Sequence, residues 1–218
     1  MVIFLCAISR PRWHTCTNRH FDGKIGIWSF ITCEPAQRSS SMVANLIILV
    51  TAEVYRNFLT GKFLPAISEK WPRNYREIVI KLQQDNVPAH IKPDNPTFLT
   101  TGGTAGLYIQ LVWHTPKISD LNDLDPVLFN SIQSLQHTKT PRNTDQLIRA
   151  IRESLEQLHS SNLNNIFLTI QKVIDLWTIH NVSNNYKLSY ISKASLEREG
   201  LPPVSIKCSE QLLEALNA

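Results

Sequence analysis

The segment Glu77-Ile-Val-Ile-Lys-Leu-Gln-Gln-Asp-Asn86 decides how the chain is read. Its branched apolar half predicts a β-strand over residues 77–82. The polar end, Gln83-Gln84-Asp85-Asn86, puts Asp85 where that strand leaves the core. Downstream, Pro88, Pro93, Pro96 and Gly102-Gly103 punctuate a loop or short helix, and Leu107-Tyr-Ile-Gln-Leu-Val-Trp113 returns as another strand. After Pro116 the apolar period becomes helical. Leu128, Ile132 and Leu135 make one stripe, Leu147, Ile151, Leu155 and Leu158 a second, and Ile166, Ile170, Val173 and Ile174 a third. Stripes of this kind are expected to pack into a core.

Upstream, residues 2–8 form an apolar run ending at the turn-forming Arg10-Pro11. The run has no basic residues before it and Arg10-Pro11-Arg12 directly after it, so it reads as a buried strand and not as a signal peptide. Residues 24–31 alternate, with Ile25, Ile27, Ser29 and Ile31 on one face and Gly26, Trp28 and Phe30 on the other. The two segments are expected to pair as a hairpin across a polar loop, residues 13–23. Residues 34–41 are loop-like. A helical pattern then spans residues 43–59, resumes over 63–70 and stops at Trp71-Pro72. Residues 180–218 read as a tail of short elements. The order is two strands, a long helix, a strand, a short helix, a strand and three helices, which fits an α/β mixed sheet flanked by helices.

At 218 residues and 43% hydrophobic content, the chain is long enough to bury a sizeable core. No apolar run reaches the length of a membrane span. Cys6, Cys16, Cys33 and Cys208 show neither C-x-x-C spacing nor a matched histidine pair, so they read as reduced thiols and not as a zinc site or disulfide framework. The net charge of +4 is unevenly placed: residues 1–100 hold 12 Lys/Arg against 7 Asp/Glu, and residues 101–218 hold 10 against 11. A basic first half suits a polyanion such as DNA, although an ordinary solvated surface has the same composition.

Two carboxylates carry the chemical argument. Asp85 follows a strand, and Asp125 precedes Pro126 and an amphipathic helix, where it also fits a plain N-cap. Converging at a sheet end, the pair would supply hard oxygen ligands for Mg²⁺ or Mn²⁺. Two such ions activate a water or 3′-hydroxyl in phosphodiester displacement, but they ordinarily require more than two acids. Spacing alone leaves both readings open.

The local sequence adds a further indication. Phe4-Leu-Cys-Ala-Ile-Ser-Arg-Pro-Arg12 is followed by Phe21-Asp-Gly-Lys-Ile-Gly-Ile-Trp28, and Leu64-Pro-Ala-Ile67 leads to Lys70-Trp-Pro72. Gln83-Gln-Asp-Asn86 with Pro88-Ala-His90 precedes Ser119-Asp-Leu-Asn-Asp-Leu-Asp125 and Phe129-Asn-Ser-Ile-Gln-Ser-Leu-Gln136. Leu163-Asn164, Phe167-Leu-Thr-Ile-Gln171, Asn185-Tyr-Lys187 and Gly200-Leu-Pro202 complete the series. In this order the segments resemble mariner-like transposases, in particular the lineage with an Asp-Asp-Asp catalytic set. The 39 residues between Asp85 and Asp125 match that lineage's spacing.

The resemblance implies a ribonuclease-H-like fold and metal-dependent cleavage and strand transfer of DNA with Mg²⁺ or Mn²⁺. It also implies a nuclear location, DNA as partner and a possible homodimer, with neither membrane nor small-molecule substrate expected. Asp85 and Asp125 would be the second and third catalytic, metal-binding acids. Asn86, His90 and Asn122 would lie beside the site or nearby DNA. On this reading residues 1–137 form a truncated catalytic core and residues 138–218 its helical extension.

The chain also departs from the family. The first acid lies there in an Asp-Glu-Lys-Trp-Phe motif on a first strand, and nothing in these 218 residues matches it. Asp22 falls in the Phe-Asp-Gly-Lys segment and is not its substitute. Around the third acid the family's proline-rich turn becomes Trp113-His-Thr-Pro-Lys-Ile-Ser-Asp-Leu-Asn122, and Pro126-Val127 replaces Leu-Gly. The expected protein is therefore a transposase catalytic fragment inactive alone. The alternative is a non-enzymatic nucleic-acid-binding or dimerising remnant.

Overall fold

The computed structural model describes residues 2–14, 18–35, 43–72, 79–113 and 124–179. Strand β1 (Phe4–Ile8) runs antiparallel to β4 (Lys24–Ser29), with Cys6 opposite Ile27. The connection is not a simple loop, because β2 (Arg12–His14) and β3 (Arg19–Phe21) form a small hairpin within it. Asn18 adopts a left-handed φ of 50° there, a conformation Asn tolerates better than most residues.

Alternation along β1 serves two cores. Leu5 and Ala7 pack against one cluster with Trp28, while Phe4, Cys6 and Ile8 pack against another with Ile27. Ile25 does not follow Ile27, as the sequence pattern predicted, but joins the first cluster. It falls at a register irregularity between Ala7 and Ile8, where an extra residue shifts the pleat.

Residues 43–59 are not one helix. The ladder changes partner at Phe30, and β5 (Ile31–Pro35) pairs antiparallel with β6 (Val43–Ile47). The branched Val43, Ile47, Ile48 and Val50 favour extended backbone, and the helix starts only where Thr51 caps it, its Oγ1 accepting from Val54 N–H at 3.3 Å. The strand β5 also occupies the start of the segment read as loop. Helix α1 (Ala52–Phe58) then passes through a π-helical turn, Leu59–Phe63, into α2 (Leu64–Lys70). It ends at Trp71, in β conformation before Pro72, because proline disfavours a helical predecessor.

Strand β7 (Ile80–Gln84) is parallel to β8 (Ile109–Trp113), with Ile80 opposite Ile109 and Gln84 opposite Trp113. Parallel strands need a crossover, and α3 (Pro96–Thr104) lies within it. Asn95 caps this helix through Phe98 N–H, Pro96 sits in its first turn, and Gly102-Gly103 lie inside the helix instead of breaking it. Ile80, Ile109, Leu111 and Phe98 join Leu59, Phe63, Leu64 and Ile67 in the first core. Lys81, Gln83 and Gln110 on the opposite face are exposed.

Three helices close the described fold: α4 (Leu124–His137), α5 (Thr144–Gln157) and α6 (Ser160–Ile179). Leu128, Ile132, Leu155, Leu158, Leu163 and Ile166 pack on Ile27 in the second core. Ile174, expected inside, is 43% exposed, whereas Ile166 and Val173 are buried as expected and Leu163 and Leu168 are buried with them. Polar ties also join the helices to the strands. Lys24 Nζ donates to Glu156 O at 2.6 Å, and Arg10 Nε donates to Asn164 Oδ1 at 3.1 Å. Burial, and secondarily Arg12, lowers the Arg10 pKa.

Strand and helix are mixed, as expected, and the described strands make four two-stranded pairs; no backbone ladder among them joins β1–β4 to β7–β8, although both contribute to the first core. The tail at residues 180–218, the first half of the strand expected over 77–82 and the inward face of Leu135 lie outside the described residues and side chains. No helix among the described residues is long and apolar enough to cross a membrane.

Candidate active site at the end of the parallel strand pair

Asp85 is the first residue beyond β7, at the carboxyl end of the parallel pair, the edge where open α/β sheets usually place ligands. Gln84 fixes this end. It is buried, its Nε2 donates to Ile91 O, and its Oε1 accepts from the Tyr55 hydroxyl at 3.3 Å. One side chain thus ties β7 to the following loop and to α1. His90 N–H donates to Val87 O at 2.9 Å, closing the loop into a turn that brings the imidazole back over Asp85.

His90 Nδ1 lies 2.6 Å from Asp85 Oδ1 and 3.1 Å from the Asp85 carbonyl oxygen. The two contacts differ in kind. The carbonyl meets hydrogen-bond geometry, whereas Oδ1, though closer, is buried without a hydrogen-bond donor of its own. The short approach is therefore an electrostatic contact and not a hydrogen bond. The ring also stacks on Tyr55, with centroids 4.2 Å apart and planes 28° from parallel. Burial first, and the Asp85 charge second, push the Tyr55 hydroxyl pKa well above the ordinary tyrosine value.

The structure thus brings together two of the residues singled out in the sequence, Asp85 and His90. Asn86 is exposed next to them. Asp125 is the second residue of α4, but its side chain lies outside those described, as do Asn122 and the rest of residues 114–123. The backbone does constrain where that segment starts. Trp113, the last residue of β8, lies opposite Gln84, so the chain towards Asp125 leaves from the same sheet end as Asp85. Asp22 has a structural role: its Oδ1 accepts from Lys24 N–H at 3.0 Å, and its Oδ2 lies 3.5 Å from Lys24 Nζ.

Among the described residues, no three His, Cys, Asp or Glu side chains gather as a metal site. Asp85 offers one carboxylate, with His90 Nδ1 2.6 Å from its Oδ1, and a pair of hard dications needs more carboxylates than this. The described side chains therefore do not make up a metal centre, and no chemical step is routed through one.

Tyr55 and Gln84 hold the Asp85–His90 pair in place, yet neither stood out as a functional residue in sequence. Tyr55 lies at a core position of α1, where an aromatic residue is ordinary, and only the fold discloses that its hydroxyl reaches Gln84. No family model, curated protein or solved structure matches the chain.

Proposed function

We propose that this chain is part of a mariner-like DNA transposase catalytic domain that binds DNA and does not cleave it by itself. The reading rests on the ordered motif series. The observation that carries it is Asp85, placed at the carboxyl end of the parallel strand pair with its buried Oδ1 beside His90 and outside any hydrogen bond. Asp125 would be the companion acid, and Mg²⁺ or Mn²⁺ the ion they hold. Two acids are fewer than a two-metal phosphodiester displacement ordinarily uses, hence the expected inactivity.

Nuclear location and a homodimer belong to this proposal as well.

The test is a nicking assay on duplex DNA with Mg²⁺ or Mn²⁺, run beside a binding assay at several salt concentrations. Salt-dependent, metal-independent binding without cleavage is expected. Cleavage abolished by Asp85→Ala would show a complete active site and overturn the claim of inactivity. Absent or salt-insensitive binding would remove the DNA reading altogether.

A further inference from the structure

We infer that the open cavity beside His90 is a binding site for a phosphate group, and that its source is a nucleic-acid backbone. The inference rests on the DNA reading above for the source of the phosphate, but on the cavity itself for the chemistry. The cavity measures about 420 Å³ and is bordered by Arg56 of α1, by His90 and Lys92 of the loop after β7, and by the amino end of α3 at Asn95 and Pro96. Asp94 is the one acidic residue on its wall.

Charge and pairing single this cavity out. Arg56 and Lys92 are two permanent cations, and among the described residues neither side chain has a hydrogen-bond or ion-pair partner. Asp94 borders the same space, and no ion pair joins it to either among the described residues. Cations on separate elements, unneutralised although a carboxylate is near, leave net positive potential in a concave space. The α3 helix adds its positive dipole end, where the Asn95 side chain is already committed to capping. A tetrahedral oxyanion with several acceptor oxygens fits such donors: a guanidinium fork gives paired hydrogen bonds and an ammonium a point charge.

Position argues for a backbone phosphate. His90 borders the cavity and its Nδ1 meets Asp85, so an occupant lies one side chain away from the candidate catalytic carboxylate. A strand held there by a phosphate would be positioned beside that carboxylate without being read by sequence.

The test uses the full chain with Arg56→Gln, Lys92→Gln and Asp94→Asn, and with Arg152→Gln as a control at an exposed cation elsewhere. Duplex DNA binding is measured by fluorescence anisotropy across a salt series. Inorganic phosphate is titrated into ¹⁵N-labelled protein while the amides of residues 90–95 are followed. The slope of log affinity on log salt should become shallower by about one for each of Arg56→Gln and Lys92→Gln, irrespective of DNA sequence. Asp94→Asn should tighten binding, and phosphate should shift the amides in the parent chain but not in the Lys92 variant. DNA binding that neither cation variant alters overturns the site while leaving the DNA reading intact. Amide shifts by phosphate without DNA binding uphold the site for free phosphate and remove the DNA reading. No response to either ligand overturns both. Lys92 is exposed in a loop, so its variant separates lost binding from lost folding.

Discussion

His90 Nδ1 stands 2.6 Å from Asp85 Oδ1 while its ring lies flat on Tyr55, so one imidazole is held at its edge by a carboxylate and on its face by a phenol. His90→Phe keeps the stack and removes the nitrogen. Its expected cost is about 1 kcal/mol, the net value of an ordinary hydrogen bond to the Asp85 carbonyl. A double-mutant cycle with Asp85→Asn should return a coupling of about 0.5 kcal/mol or more, since contacting groups depart from additivity. Additive effects in urea unfolding would mean that the pair does not interact.

Tyr55 makes stability fall at high pH. Its hydroxyl pKa is raised in the folded chain, so near and above the ordinary value of 10.0 the unfolded phenol loses its proton before the folded one does. Its contribution is fully present below that value and is lost as pH rises towards the folded pKa. Denaturation at pH 9 and pH 11 should show a loss of stability that Tyr55→Phe reduces, at the expense of the bond to Gln84. An equal loss in the variant would locate the effect elsewhere.

Lys24 joins strand to helix bundle. Its side chain is buried, and its Nζ donates to Glu156 O in the last turn of α5, where the helix dipole favours a cation. Lys24→Met preserves bulk and removes the donor, leaving the carbonyl short of a partner. The expected loss is about 1–3 kcal/mol. Hydrogen exchange should rise in α5 ahead of β7; uniform exchange would contradict a local tie.

Gly23 turns the chain into β4 with φ +85°, and its carbonyl accepts from Ser9 N–H at 2.7 Å. A Cβ at this position would overlap the Ser9 carbonyl oxygen. Gly23→Ala should therefore cost more than about 1 kcal/mol, and should disturb the β1–β4 register. Gly103→Ala, where a Cβ meets nothing, is the comparison and should be neutral or stabilising.

Unpaired strand edges predict the solution behaviour. With β1 and β7 each bonded to one neighbour among the described strands, and Tyr108 and Leu49 66% and 81% exposed, the isolated chain should be marginally stable or prone to association. Light scattering on heating should report aggregation near the unfolding transition. A soluble monomer unfolding cooperatively at a high midpoint would count against it.

Much was legible in sequence because periodicity and punctuation act locally. The β1–β4 pairing, the strand running up to Asp85, the stop at Trp71 and the three final helices follow from apolar spacing, branched residues and proline. Helix and strand patterns overlap over residues 43–47, a mostly apolar stretch compatible with either, and pairing with Ile31–Pro35 selects the strand. Ile25 leaves the alternation of its own strand because a bulge is a property of two strands and not of one. Asp85 was visible because strand ends are written in polarity. Its setting was not. That His90 folds back on it, that Tyr55 and Gln84 brace the pair, and that Arg56 and Lys92 share one cavity depend on contacts between residues distant in the chain, which packing alone decides.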